Sequence, residues 1–412
     1  MDDVRKICGN LEDFNWWLFE GCMQQERTRG HLGISVEARL HDGRRKTHQP
    51  AGMRLARSKA DADALRQRIN RGYLAEWSDS VVRQRLLSVA QAVMPEAFAL
   101  IIDDTGIEKK GTKSPGVQRQ YTGTAGKVTN CQVVVSTHLA SWDASVPVEM
   151  DVYLPDEAWC RDQARRSEAW IPDEVVFRTK PELALAQVDR LLEAGVGPAV
   201  TLADAGYGDN TDFRRALDDR GVAYAVGLSG TMKVWRAGEG PDPTPPPSGR
   251  LGRPQKRRFP GKYEPVEIRS LATELDEPVW RLIELRPGEE NPRTSRFAAL
   301  RVRAARRAHV GWPPGPERWL LVEWPEGDSS PSHFFLSSMP ADTPIEELAR
   351  TAKHRWRVER DYQDAKQEVG LDQYEGRRWT GLNHHLTICM AAMTYLVASR
   401  ALFPPHGKAV AG

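Results

Sequence analysis

The sequence has few cysteines and no paired cysteine motif. Its five cysteines are scattered over 412 residues, odd in number and without a C-x-x-C pair, so neither a disulfide framework nor a zinc ribbon is indicated. There is also no signal-peptide pattern, and no apolar run is read as a membrane span. We therefore expect a cytoplasmic, nucleoid-associated protein with no membrane partner.

An excess of charge of one sign is also missing. The formal net charge is only +2, from 58 basic and 56 acidic residues, so the net charge by itself does not indicate a nucleic-acid partner. The distribution says more, because residues 248–263 contain six cations and no acid. Such a run suits phosphate contact, although a solvated loop is the alternative. The cations of this basic segment are Arg250, Arg253, Lys256, Arg257, Arg258 and Lys262.

Changes in pattern along the chain predict an α/β protein in several parts. Alternating strands and helices predict a layered domain, and the stretch PDPTPPPSG cannot be helix or central strand. The expected parts are a mostly helical N-terminal DNA-binding region (1–95), the first part of an α/β domain (96–231), a β-rich insertion (232–335), C-terminal helices (336–402) and a tail (403–412).

Two segments share one form, a short apolar strand that ends in an aspartate. They are FALIID, ending at Asp103, and AVTLAD, ending at Asp204. Apolar runs of this kind are typical of buried strands, and ligands of open α/β sheets sit outside the carboxyl ends of such strands. Each aspartate could instead open a turn or cap a helix. Asp104 is an alternative to Asp103, which we prefer because it ends the strand.

A third segment, RWRVERDYQDAK, has helical spacing. It places Arg355, Glu359, Tyr362, Gln363 and Lys366 on one face, so that an acid is flanked by cations. A solvated helix with ordinary charge pairs would look the same. Elsewhere Lys109 and Lys110 open a cationic loop that is either a DNA track or merely solvated.

Taken together these residues resemble the insertion-sequence DDE transposases with a β insertion before the last acid. The helix is similar to their Y-x2-R-x3-E-x6-K signature, with Arg355, Glu359 and Lys366 in the R, E and K places and Ala352 in the Tyr place. Residues 101–133, 177–184, 201–208 and 355–387 resemble one subgroup, the IS four and IS seven-oh-one-like group. The resemblance covers roughly residues 50–400, and its combined motifs are highly specific.

The resemblance implies a ribonuclease-H-like catalytic domain that cleaves transposon ends and joins them to target DNA. Asp103, Asp204 and Glu359 would bind two Mg²⁺ ions, with Mn²⁺ a plausible substitute, and oxygen ligands suit both ions. Arg355 and Lys366 would hold phosphates. The expected partners are DNA and, in the active complex, a second copy of the chain, with no small-molecule substrate. A DNA-binding relative that does not cut, or a stand-alone nuclease of the same fold, stays open.

Overall fold

The computed structural model describes residues 2–23, 26–197, 199–239, 264–286, 293–305 and 315–404. The described helices are α1 (Asp2–Ile7), α2 (Leu11–Leu18), α3 (Glu26–Leu40), α4 (His48–Leu55), α5 (Lys59–Leu74), α6 (Asp79–Val93), α7 (Gln163–Ala169), α8 (Lys180–Glu193), α9 (Ala205–Gly208), α10 (Thr211–Asp219), α11 (Ile268–Thr273), α12 (Ile345–Lys353), α13 (Trp356–Gln367) and α14 (Trp379–Leu402). The described strands are β1 (Ala99–Glu108), β2 (Gln118–Thr122), β3 (Lys127–Ala140), β4 (Ser145–Tyr153), β5 (Val200–Ala203), β6 (Tyr224–Leu228), β7 (Lys233–Arg236), β8 (Val266–Glu267), β9 (Arg281–Glu284), β10 (Thr294–Ala304), β11 (Glu317–Trp324) and β12 (His333–Ser337).

The chain divides into two compact units. The first contains residues 1–197 and 357–412, and the second contains residues 198–356. Both units combine helices with strands, so the predicted α/β class is confirmed. The boundaries predicted at residues 95, 231 and 335 remain predictions.

The sheet of the first unit is antiparallel. β3 pairs with β1 from Ala99↔Ala140 to Glu108↔Cys131, and with β2 and β4 along its other edge. β3 is buried from Cys131 to Ala140, as expected for a Val-rich central strand. The strand nevertheless carries three adjacent polar residues, Ser136, Thr137 and His138, all of them fully buried. Buried polar groups require hydrogen-bond partners, and these three are used to attach helices to the sheet.

The long helix α14 lies in the core of the first unit. By length and composition it is the one helix of the described residues that could cross a membrane, but 67% of its most apolar window is buried. It packs against α3, α5, α6 and β4. Within it, His384 stacks on Trp77, and His385 lies within hydrogen-bond distance of the Leu371 carbonyl. These contacts are typical of a core helix, and both histidines serve packing.

The N-terminal helices pack into the same unit as the C-terminal ones. Arg39 of α3 is buried and donates to the carbonyls of Val369 and Gly370 and to the Tyr73 hydroxyl. Gly370 has a φ of +71°, and a Cβ there would lie 2.6 Å from the Lys46 Cβ. Glycine is therefore required where the chain leaves α13.

The second unit is built on a mixed sheet. β5 and β6 are parallel, and the order continues antiparallel through β12, β11, β10, β7 and β8, with β9 on β10. α12 packs on β6, β9 and β10. α12 ends at its cap His354, whose N–H donates to the carbonyls of Arg350 and Thr351, and α13 begins at Trp356.

Candidate active site

Asp103 and Asp104 project to opposite faces of the first unit's sheet. Asp103 pairs with Ser136 across β3, whereas Asp104 pairs with Val135. Directly opposed residues share a face, and neighbours along a strand alternate. On the Asp104 face lies α8, whose Lys180 ammonium is 2.9 Å from the Asp104 carboxylate. Because Gln187 of the same helix bonds Thr137 and the Val135 carbonyl, α8 is fixed to that face.

The Asp103 face is covered by α13, the helix that carries Glu359. The Tyr362 hydroxyl lies 2.6 Å from Ser136 Oγ, and Ser136 Oγ lies 2.9 Å from His138 Nε2. His138 Nδ1 is 2.7 Å from the Asp361 carboxylate, which also accepts from Ser145 at 2.8 Å. All three hydrogen bonds form together if Tyr362 donates to Ser136, Ser136 donates to His138 Nε2, and His138 Nδ1 donates to Asp361.

Because these residues are buried, this polar network holds α13 in one position. Burial raises the pKa of Tyr362 well above its usual range, and the negative charge of Asp103 adds to the effect. The tyrosine therefore remains a neutral hydrogen-bonding group beside Asp103. Glu359 lies three residues before it on the same helix, at an exposed position.

The sequence pattern did not reveal this network. Tyr362 was placed on the face of Glu359, but the partners on β3 were not identified. The available signal was Ser136 and His138, two polar residues at i and i+2 inside the apolar run VVVSTHLA. That spacing puts both side chains on one face of a strand.

Two lysines of the first unit that were expected to contact DNA form internal bonds. Lys366 donates to the Gly106 carbonyl at 3.1 Å, and burial lowers its pKa. Lys109 donates to the carbonyls of Asp372 and Tyr374, and burial lowers its pKa to about 8. Lys110 is exposed. A phosphate contact by Lys109 would have to compete with its two carbonyl bonds.

In the second unit, Asp204 follows β5 as the sequence predicted. It caps α9, and its Oδ1 accepts from the N–H groups of Gly206 and Tyr207 at 2.9 and 3.4 Å. The capping role proposed as an alternative is thus real, and it fixes the direction of the carboxylate. Arg355 lies in the turn between α12 and α13, one residue before the helix on which it was expected.

Several candidates lie elsewhere. Arg253, Lys256, Arg257 and Arg258 of the basic segment lie outside the described residues. Ala352, in the tyrosine place, is buried.

The donors offered for a metal ion are all carboxylate oxygens, the type that Mg²⁺ and Mn²⁺ prefer. Over the described ranges, no three His, Cys, Asp or Glu side chains are gathered closely enough to form a ready-made metal site. Such sites complete their coordination with waters and substrate phosphate oxygens. The donor chemistry fits a divalent ion that binds together with DNA.

The three candidate acids therefore lie on β1 and α13 in the first unit and directly after β5 in the second. A family model described as "DDE superfamily endonuclease" matches residues 18–292, and the chain belongs to this family. The predicted DDE resemblance is thereby confirmed. Members of the family generally use divalent metal ions.

The chain is similar to a curated relative and to a solved structure. The probable transposase for insertion sequence element IS701 of Microchaete diplosiphon is 34% identical over 145 residues, which is 35% of this chain and 35% of that protein. The match thus spans about a third of the relative's length. A structure of the piggyBac transposase synaptic complex with hairpin DNA aligns over 100% of this chain and 75% of that one, at 11% identity and a TM-score of 0.45.

Proposed function

We propose that this protein is an insertion-sequence transposase with a ribonuclease-H-like catalytic domain, which cuts DNA at the ends of its element and joins those ends to a target. Membership of the DDE endonuclease family and the similarity to the IS701 transposase support this activity. A homodimer is proposed as the active form.

We assign Asp103, Asp204 and Glu359 as the ligands of two Mg²⁺ ions. The observation that carries this assignment is the position of Asp103 on the face covered by α13, while Asp104 is engaged by Lys180 on the opposite face. Divalent ions held by these carboxylates would activate the attacking oxygen and stabilise the leaving oxygen in a displacement at phosphorus.

The chain's own residues supply position and charge. The buried network around His138 holds α13, and with it Glu359, at a fixed place over β1. The Asp204 carboxylate is oriented by two backbone N–H groups. Arg355, Lys366 and Lys110, together with the basic segment, are the proposed phosphate contacts. Lys366 donates to the carbonyl of Gly106, which lies three residues beyond Asp103 on β1. This bond holds the lysine charge in the same part of the strand as that acid.

The test is cleavage of a labelled duplex that carries the terminal repeats flanking the gene. Glu359→Gln should retain duplex binding and lose Mg²⁺-dependent cleavage, while Glu368→Gln, an exposed acid just beyond the same helix, should cut normally. Undiminished cleavage by Glu359→Gln would sink the assignment. Joined products with wild-type protein separate a transposase from a stand-alone nuclease, and binding without any cleavage would indicate a relative that only binds DNA.

A further inference from the structure

The hairpin of β2 and β3 exposes an aromatic ring to solvent. Tyr121 leaves 62% of its surface accessible, and its cross-strand partner Val128 leaves 53%. The two side chains share one face of the hairpin because they are directly opposed. Arg119, two residues before Tyr121 on β2, lies on that face and is also exposed. Arg119, Tyr121 and Val128 form what we call the hairpin patch, whereas Lys127 pairs with Thr122 and lies on the opposite face.

The stretch of sequence that contains the hairpin patch has no acidic residue. From Lys109 to Trp142 the chain contains no aspartate or glutamate. Arg119 and Lys127 are both exposed on the hairpin, on either side of Tyr121 along the chain. An exposed ring with a cation on the same face, and no acid in the segment, suits a polyanion that also offers flat apolar faces.

The hairpin is fixed to the strand that carries Asp103. Thr124, in its turn, places Oγ1 3.3 Å from both Thr105 Oγ1 and the Gly106 N–H nitrogen. Lys366 donates to the Gly106 carbonyl and lies 3.5 Å from Thr124 Oγ1. At Gly106 a Cβ would collide with the Thr122 side chain. The hairpin turn is therefore attached to β1 within three residues of Asp103.

We propose that the hairpin patch binds unpaired nucleotides of a DNA strand, with a base stacked on Tyr121 and a phosphate on Arg119. This inference rests on the proposed function, since it places single-stranded DNA next to the candidate active site. An unpaired strand is favoured over intact duplex because a ring can stack only on a base whose face is exposed, and every base offers such a face. Val128 extends the apolar surface beside the ring.

The binding test uses the full-length protein and three fluorescent probes: a mixed-sequence single strand, a blunt duplex, and the same duplex with a short single-stranded extension. Tyr121→Ala should weaken binding of the single strand and of the extended duplex about tenfold or more, and leave the blunt duplex within about twofold. Tyr121→Phe should bind like wild type, because stacking does not need the hydroxyl. Arg119→Gln should lower the salt dependence of binding, and Lys127→Gln, on the opposite face, should lower it less.

Trp170→Ala provides the matched control, since Trp170 is equally exposed, at 64%, and lies in the same unit outside the hairpin. Thermal unfolding of every variant excludes a folding defect. Unchanged single-strand binding by Tyr121→Ala, or equal losses for all three probes, would overturn the proposal. A change in sedimentation without a change in DNA binding would also overturn it, because the patch would then be a contact between copies of the chain.

The binding experiment tests the hairpin patch separately from the proposed function. Single-strand binding is measured without metal, so a Tyr121-dependent loss supports the hairpin patch even if the protein never cleaves DNA. Conversely, wild-type cleavage together with unaltered binding by Tyr121→Ala rejects the patch and leaves the transposase assignment intact.

Discussion

The hydroxyl groups of Ser136 and Tyr362 lie 2.6 Å apart although the residues are 226 positions apart in sequence. Ser136 is the cross-strand partner of Asp103, and Tyr362 lies one helical turn after Glu359. This single bond therefore links the strand of one candidate acid to the helix of another. Because both hydroxyls are buried, the link is protected from competition by water.

Tyr362→Phe removes this bond and keeps the ring. We expect the free energy of unfolding to fall by about 1 kcal/mol, the usual net value of a buried hydrogen bond, as measured by urea denaturation. The cleavage rate should fall about tenfold at unchanged DNA affinity, because a small displacement of Glu359 is enough to misplace a reacting group. Glu368→Gln, at an exposed acid just beyond the same helix, is the control and should change neither quantity. A wild-type cleavage rate in Tyr362→Phe would show that the hydroxyl does not hold the helix in its working position.

Asp103→Asn and Asp104→Asn should differ sharply. The first should lower metal-dependent cleavage about a hundredfold or more, because a carboxylate that binds an ion cannot be replaced by an amide without loss of charge. The second breaks the partly exposed pair with Lys180, which contributes less than about 1 kcal/mol, and should leave cleavage within about tenfold of wild type. Single-turnover cleavage of one duplex by both variants makes the comparison. The reverse pattern would transfer the metal-binding role to Asp104.

β2 and α14 agree with clear local patterns in the sequence, a short strand bounded by glycines and a long apolar helix. The sequence pattern underestimates β1, which was expected to end at Asp103 but runs to Glu108. The polar residues Asp103 to Thr105 look like a loop in sequence, yet their backbone pairs with β3 from Ser136 to Val134. Pairing with a distant strand overrides local propensity, and no local pattern reports it.

The candidate site, like the fold, was predictable from the sequence only where the signal is local. The three acids could be found from strand ends and helical spacing, because those are local signals. The choice between Asp103 and Asp104 depends on which helix covers which face of the sheet, and the bonds from Tyr362 to Ser136 and from Lys180 to Asp104 span long stretches of chain. Spacing within one segment carries no such information.

The free energy of unfolding should fall in mild acid because of His48. Burial, with added repulsion from Arg39 and Arg66, lowers the pKa of His48 to about 4. The unfolded chain takes up a proton near pH 6.5 and the folded chain only near pH 4, so the unfolded state binds more protons between these values. The stabilising contribution is complete above pH 6.5 and is lost as the pH falls towards 4. His48→Phe, which keeps a ring beside Tyr73, should flatten this decline by about 1 kcal/mol in urea denaturation at pH 5 compared with pH 7. Parallel declines for wild type and variant would assign the acid sensitivity to other groups.

Gly195 and Gly370 both have a positive φ. Alanine substitutions at these two positions therefore distinguish the cost of backbone strain from the cost of a side-chain collision. Gly370 has a φ of +71° and a Cβ there would meet Lys46 and Arg39, whereas Gly195 has a φ of +79° and nothing within 4 Å. Gly195→Ala should cost about 1 kcal/mol of unfolding free energy from the left-handed backbone alone. Gly370→Ala should cost more, by about 1–3 kcal/mol, because Lys46 must move from its buried bonds to backbone carbonyls. The Gly370 variant should also lose cleavage, since Gly370 follows α13 and accepts from Arg39, while the Gly195 variant should cut normally. Equal losses of stability in the two variants would mean that the contact with Lys46 is not tight, and that the turn after α13 tolerates a side chain.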